Sequence, residues 1–97
     1  MLFRSSLGFR TKKCANQLGW AEIGEGEEMV GVLCHLDVVP AGEGWDYEPF
    51  ALTIDGDRAY GRGVIDDKGP AVCCVYAMKD ILDSGVSLKR RDRKSVV

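Results

Sequence analysis

Two apolar runs in the first third of the chain, Leu18 to Ile23 and Met29 to Leu36, have strand length. Gly24-Glu25-Gly26-Glu27 separates them, with two glycines at which a positive φ is cheap, so the runs read as strands joined by a turn. The second run, Met-Val-Gly-Val-Leu-Cys-His-Leu, is almost continuously apolar, the mark of a central strand buried on both faces of a helix-flanked sheet. Upstream, Leu2 to Leu7 reads as the last turn of a helix stopped by Gly8. Downstream, residues 40–49 are loop-like, and Ala51 to Ile54 with Arg58 to Tyr60 form a hairpin about Asp55-Gly56. From Lys68 to Asp83 the period becomes helical. Ala71, Cys74, Val75, Met78, Ile81 and Leu82 share one face, and Tyr76, Lys79, Asp80 and Asp83 lie opposite. Pro70 suits the first turn, Ser84-Gly85 ends the helix, and a new strand is expected over Val86 to Arg91. Strand, hairpin, helix and strand in this order predict an α/β domain with no internal repeat.

Composition narrows the picture. At 97 residues and 45% hydrophobic content, one modest core is the ceiling. Net charge is −2, but Lys89 to Lys94 carries five positive charges and one negative, which leaves an acidic body. That balance argues against nucleic acid as a partner. The longest apolar run is far short of a membrane span, and Met1 to Leu7 lacks the length of a signal-peptide apolar region. Cys14, Cys34, Cys73 and Cys74 contain no C-x-x-C pair, so they read as small buried apolar groups in a reducing, cytoplasmic setting.

The candidate chemistry lies at two places. His35, the only histidine, ends the apolar strand, and Asp37 two residues on falls on the same face if the strand continues. An imidazole that ligates a metal needs a group to hold its other ring nitrogen, and a carboxylate at this spacing can do so. A histidine at a strand end can equally be structural. Asp66-Asp67 stands just before the helix, where one Asp commonly caps the N-terminus and a second suits the helix dipole. Against the capping role, Gly61, Gly63 and Gly69 surround the pair, as where backbone approaches something closely, and the preceding strand delivers both carboxylates near the sheet edge that carries His35. Imidazole nitrogen with carboxylate oxygen suits zinc, and a carboxylate can bridge two ions. The alternative is a small α/β interaction module in which His35 is packed and the Asp pair caps the helix.

In order along the chain, His35-Leu36-Asp37-Val38-Val39-Pro40, Gly44-Trp45, Pro49-Phe50 and Gly61-Arg62-Gly63-Val64-Ile65-Asp66-Asp67-Lys68-Gly69-Pro70 resemble the M20 family of zinc-dependent peptidases and deacylases. Within it the chain looks most like bacterial dipeptidases of the PepV type, Pro70 standing where many acylamino-acid deacylases have Gly. The resemblance covers about Gly8 to Arg91 and implies part of a helix-flanked mixed-sheet catalytic domain of the zinc-peptidase/phosphorylase type. It makes His35 a zinc ligand, Asp66 the carboxylate that bridges two zinc ions, and Asp37 the catalytic-site residue that orients His35. It implies a peptide bond, often cis, between Asp66 and Asp67. Dipeptides or other small amides become the expected substrates, with deacylation or desuccinylation of acylated amino acids as the alternative. Arg62 and Lys68 have no metal role derivable from the residues and read as salt-bridged or solvated, while Trp45 and Phe50 read as packing residues of the loop.

In that family a glutamate acts as general base on the water that attacks the amide carbonyl, and it lies in a Glu-Glu motif on the strand after the helix. Neither it, the further carboxylate ligands, a distant second histidine nor the lid domain is found among these residues, and Glu27-Glu28 precedes His35 on a turn. The 97-residue chain is therefore expected to be inactive by itself and to bind metal weakly. Residues 1–91 read as partial catalytic domain, and Asp92-Arg93-Lys94-Ser95-Val96-Val97 as a non-native tail, polar where an apolar strand is expected. A common sequencing adapter, GATCGGAAGAGCGTCGTG, translates to those residues. Reading the codons for 92–97 tests the idea, and any other codon series rules it out.

Overall fold

The computed structural model describes residues 6–97, so the helical turn expected over Leu2 to Leu7 falls largely outside the described residues. The elements in chain order are β1 (Arg10–Cys14), β2 (Leu18–Ile23), β3 (Met29–Cys34), β4 (Thr53–Asp55), β5 (Arg58–Tyr60), α1 (Gly69–Ser84) and β6 (Arg91–Val96). Four strands form one mixed sheet in the order β1-β2-β6-β3, with β6 antiparallel to β2 and parallel to β3. The α/β class and the mixed, helix-covered sheet are as expected. β4 and β5 form a separate hairpin, paired Asp55↔Arg58 across a short turn with Gly56 at φ 61°. Its first strand starts at Thr53 rather than Ala51.

Three expectations need correction. β1 has no signal in the hydrophobic pattern, because Arg-Thr-Lys-Lys-Cys neither alternates nor buries a face. It exists through its pairing with β2 across Ala15 and Asn16, both at positive φ. β2 and β3 are not hydrogen-bonded neighbours, because β6 inserts between them, and the strand expected over Val86 to Arg91 begins only at Arg91. Gly24 keeps its predicted role here: a Cβ on it would lie 2.8 Å from the Arg90 carbonyl oxygen, at φ 83°. Finally, β3 is not buried on both faces. It ends the described sheet, and Val30 and Leu33 are 55% and 71% exposed, since among the described residues no strand lies on its outer edge and α1 covers only part of one face. Cys73 is likewise exposed, and only Cys34 of the four cysteines is buried.

The core sits where α1 crosses β2. Ala71, Val75 and Met78, three to four residues apart, form the buried stripe of the helix, and Val75 and Met78 are met by Ala21 and Ile23 of β2 and by Phe9 just before β1. Leu7, Ile81 and Leu88 pack around that cluster. Gly85 at φ 72° closes the helix, its N–H bonded to the Leu82 carbonyl. Register places Asp92 opposite Ile23 and Lys94 opposite Ala21, so these charged residues occupy the helix-facing side of the sheet and pair with each other at 2.6 Å. The opposite face carries Glu22, 4% exposed, whose carboxylate is shared by Arg10 (3.2 Å), Arg93 (2.7 Å) and Arg91 (3.4 Å). Arg93 also stacks over Trp20 at 4.1 Å. The assembly is extended, with a radius of gyration of 15.6 Å. About 12.5 Å is typical for a compact domain of this length. Around the β4–β5 hairpin Phe50, Leu52 and Ile54 stay exposed, so Phe50 is not a packing residue as expected.

Burial pushes the Glu22 carboxyl up, but hydrogen bonds from Arg93 and Arg10 and the charges of Arg93 and Arg91 outweigh it, leaving the pKa below its ordinary 4.5. A carboxyl with a depressed folded pKa stabilises the fold above its unfolded value, and that stability is lost as pH falls from 4.5 through the lowered value. Glu22→Gln is expected to cost roughly 1–3 kcal/mol at pH 7 and to flatten the acid limb of stability in urea unfolding. Met78→Ala, at the fully buried centre, is expected to cost about 2–4 kcal/mol with the pH dependence unchanged. Parallel acid limbs for wild type and Glu22→Gln would show that the arginine cluster contributes nothing.

Candidate metal centre

β3 delivers His35 one residue beyond its last paired position, and the entry to α1 delivers Asp66 and Asp67. Between β5 and α1, Val64–Lys68 make a wide helical turn in which Asp66 is extended, at φ −132° and ψ 94°, and the Asp66–Asp67 peptide bond is cis. Lys68 N–H bonds the Gly63 carbonyl at 2.9 Å and Gly69 N–H the Val64 carbonyl. Two glycines make this path possible. A Cβ on Gly63, at φ 89°, would lie 2.7 Å from Val38 Cγ1, and one on Gly69 would lie 2.0 Å from the Val64 oxygen. The first brings the His35 loop and the Asp66 turn into contact, and the second lets the wide turn run into the helix.

The result is that His35 Nε2 lies 3.0 Å from Asp66 Oδ1. On the other side of the ring, Nδ1 is 3.1 Å from the Asp37 carbonyl oxygen and 3.3 Å from its carboxylate. Asp37 is past the end of β3, so its approach to the ring comes from the loop and not from strand alternation; both its backbone and its side chain meet Nδ1. The carbonyl can only accept, so Nδ1 carries a proton and Nε2 is the nitrogen turned toward Asp66. Asp67 does not cap α1, whose first turn has no side-chain cap; its Oδ2 accepts the His35 backbone N–H at 3.2 Å. The capping alternative for the Asp pair is thereby replaced by contacts to His35.

His35, Asp37 and Asp66 line an open cleft of about 460 Å³ together with Trp45, Tyr60 and Arg62. Arg62 was expected in a salt bridge or in solvent. Instead it lies over the Trp45 ring at 5.1 Å and donates from Nη2 to the Ala41 carbonyl at 2.7 Å, the same oxygen that accepts Trp45 Nε1–H at 2.8 Å. Trp45 does shape the loop as its composition suggested. Sequence reasoning missed Arg62 because its role rests on an acceptor in a loop 21 residues earlier. Glu28, on the turn before β3, pairs with Arg90 and stays apart from the cleft.

The donor set fits part of a zinc site: an imidazole nitrogen and an exposed carboxylate that face each other and could turn to one ion, and a second carboxylate holding the ring. Two ligands of one tetrahedral ion stand about 3.3 Å apart, close to the 3.0 Å between His35 Nε2 and Asp66 Oδ1. Among the described residues no group of three or more His, Cys, Asp or Glu side chains is arranged to hold an ion. His35 and Asp66 thus fit as a share of a ligand set.

The hydrogen bond to the Asp37 carbonyl is the largest influence on the His35 pKa, and with the Asp66 hydrogen bond and the two negative charges it outweighs desolvation and holds the value above its ordinary 6.5. In the metal-free chain the His35 ring protons are expected to titrate with a midpoint above 6.5, and Asp66→Asn is expected to lower it. Since the imidazolium is the favoured form, stability from these contacts is present below the unfolded value and lost as pH rises through the folded one. A ring midpoint by NMR that is identical in wild type and Asp66→Asn would refute the coupling.

Residues 31–93 match the sequence profile described as Peptidase family M20/M25/M40. Among curated proteins, the chain is similar to "Putative dipeptidase YtjP" of Bacillus subtilis (strain 168), 48% identical over 86 residues, which is 89% of this chain and 19% of that protein. It is also similar to "Putative dipeptidase SH1171" of Staphylococcus haemolyticus, 45% identical over 84 residues. Among solved structures, human carnosine dipeptidase 1 superposes with a TM-score of 0.71 at 26% identity, over 96% of this chain and 23% of that one. The di-peptidase Dug1p of Saccharomyces cerevisiae superposes with a TM-score of 0.68 at 32% identity, over 81% of this chain and 18% of that one. The chain spans about a fifth of the length of the relatives it matches. With its family motifs gathered around one cleft and most of its length within the family profile, the chain belongs to peptidase family M20/M25/M40.

Proposed function

We propose that these residues are part of a dizinc dipeptidase that hydrolyses the peptide bond of small dipeptides. The observation that carries the reading is the 3.0 Å approach of His35 Nε2 to Asp66 Oδ1, with Asp37 on the opposite ring nitrogen. Dipeptidase names among the similar proteins support the substrate class. Zinc, when bound, would polarise the substrate carbonyl and lower the pKa of a water. His35 would supply a neutral nitrogen, Asp37 would hold the ring in the tautomer that leaves Nε2 free, and Asp66 would offer two oxygens for bridging. Trp45 and Arg62 would wall the cleft and limit the size of the substrate. The four cysteines are free, which supports a reducing, cytoplasmic location.

Taken by itself, the 97-residue chain is proposed to be inactive, because two ligands fall short of the three or four that zinc sites use. Residues 1–91 are proposed to be part of a catalytic domain and 92–97 a non-native tail; Asp92 and Lys94 on the helix-facing side of the sheet support the second point, since an apolar pair is expected there.

Dipeptide hydrolysis by the purified 97-residue chain is expected to stay at the level of the blank. In a chain extended to the full length of its relatives, hydrolysis is expected to appear, to exceed that of acylated amino acids, and to fall by about 100-fold or more in His35→Ala. Asp37→Ala is expected to weaken zinc binding there by roughly 10–100-fold. Hydrolysis by the 97-residue chain that His35→Ala abolishes would overturn the proposal of inactivity, and a preference for acylated amino acids would overturn the dipeptidase reading.

A further inference from the structure

The parallel ladder between β3 and β6 ends where Val97 N–H donates to the Cys34 carbonyl at 2.9 Å. Within one peptide unit the C=O and the following N–H point in opposite directions, so the His35 N–H points away from β6, toward the outer edge of β3. Among the described residues no strand lies on that edge. An N–H there would be left to solvent, beside an imidazole whose position depends on the same backbone.

Asp67 Oδ2 takes this N–H at 3.2 Å. The residue is half-buried although Asp66 and Lys68 on either side are exposed, so its side chain is turned inward. It stands where an acidic residue usually serves the helix N-terminus, yet α1 receives no side-chain cap. The bond joins segments 32 residues apart, and its acceptor is the immediate chain neighbour of Asp66, whose carboxylate faces the His35 ring. When an ion takes over His35 Nε2 and Asp66, their direct hydrogen bond is given up. The Asp67 bond uses neither of those atoms and persists as the polar tether between strand end and helix entry.

We propose that Asp67 is a positioning residue, whose carboxylate fixes the His35 backbone and so sets the separation of the His35 ring from Asp66. The proposal rests on the metal-site reading for its purpose, but the tether itself can be tested without metal.

The test uses the 97-residue chain as wild type, Asp67→Ala, Asp67→Asn and His35→Ala, with two measurements. Amide hydrogen exchange by NMR on the metal-free chain reads the tether, with the Val75 and Met78 amides as a check on the helix. Competition for zinc ion against a chromophoric chelator reads the site. Asp67→Ala is expected to speed His35 amide exchange about 10-fold or more and to weaken zinc binding by roughly 10–100-fold, with Val75 and Met78 unchanged. Asp67→Asn keeps an oxygen acceptor and is expected to stay near wild type in both. If Asp67→Ala disturbs the helix amides, Asp67→Asn decides: matching Asp67→Ala at His35 while its own helix amides hold overturns the assignment. Unchanged His35 exchange in Asp67→Ala overturns it directly, as does faster exchange with unchanged zinc affinity when His35→Ala weakens zinc. If His35→Ala leaves zinc binding unchanged, the metal-site reading fails, while the exchange data still judge the tether.

Discussion

The packing of one helical stripe on the sheet governs everything else in this chain. Val75 and Met78 on α1 meet Phe9 and, on β2, Ala21 and Ile23, and this small cluster is the core that holds the helix against the sheet. Because α1 is anchored there, its N-terminus is carried along the sheet toward the end of β3, where the turn bearing Asp66 and Asp67 meets His35. The site depends on the core through the rigidity of a sixteen-residue helix, with the conformational work done by two glycines at its entry.

The periodic parts of the fold were legible because each buries a face. The helix came within a residue of its ends, from a 3.6-residue apolar stripe bracketed by Pro70 and Gly85. The hairpin was legible from Asp55-Gly56. What escaped reading was pairing. β1 is polar and exists only against β2, and the insertion of β6 between β2 and β3 is a non-local event that adjacent apolar runs cannot announce. The expectation of a buried β3 failed for the same reason: its composition suits a strand with neighbours on both sides, while the described sheet has one.

At the candidate centre, residue types and order were enough to single out His35, Asp37 and Asp66, because an imidazole and carboxylates near one sheet edge restrict the chemistry. The contacts that organise them were not readable. Asp37 reaches the ring through its carbonyl as well as its carboxylate, and Asp67 acts on a backbone N–H that no side-chain pattern encodes. Hydrogen bonds to main-chain atoms, which set so much of the geometry here, leave no trace in composition or period.

The Ala41 carbonyl has a consequence for how the cleft responds to change. One oxygen receives both Trp45 Nε1–H and Arg62 Nη2–H, and the guanidinium lies on the same indole ring. The two side chains are therefore coupled twice, through a shared acceptor and through direct contact, so their energetic effects do not add. This part of the cleft lining behaves as a single unit, so a change in either side chain is felt by the other and by the loop backbone at Ala41.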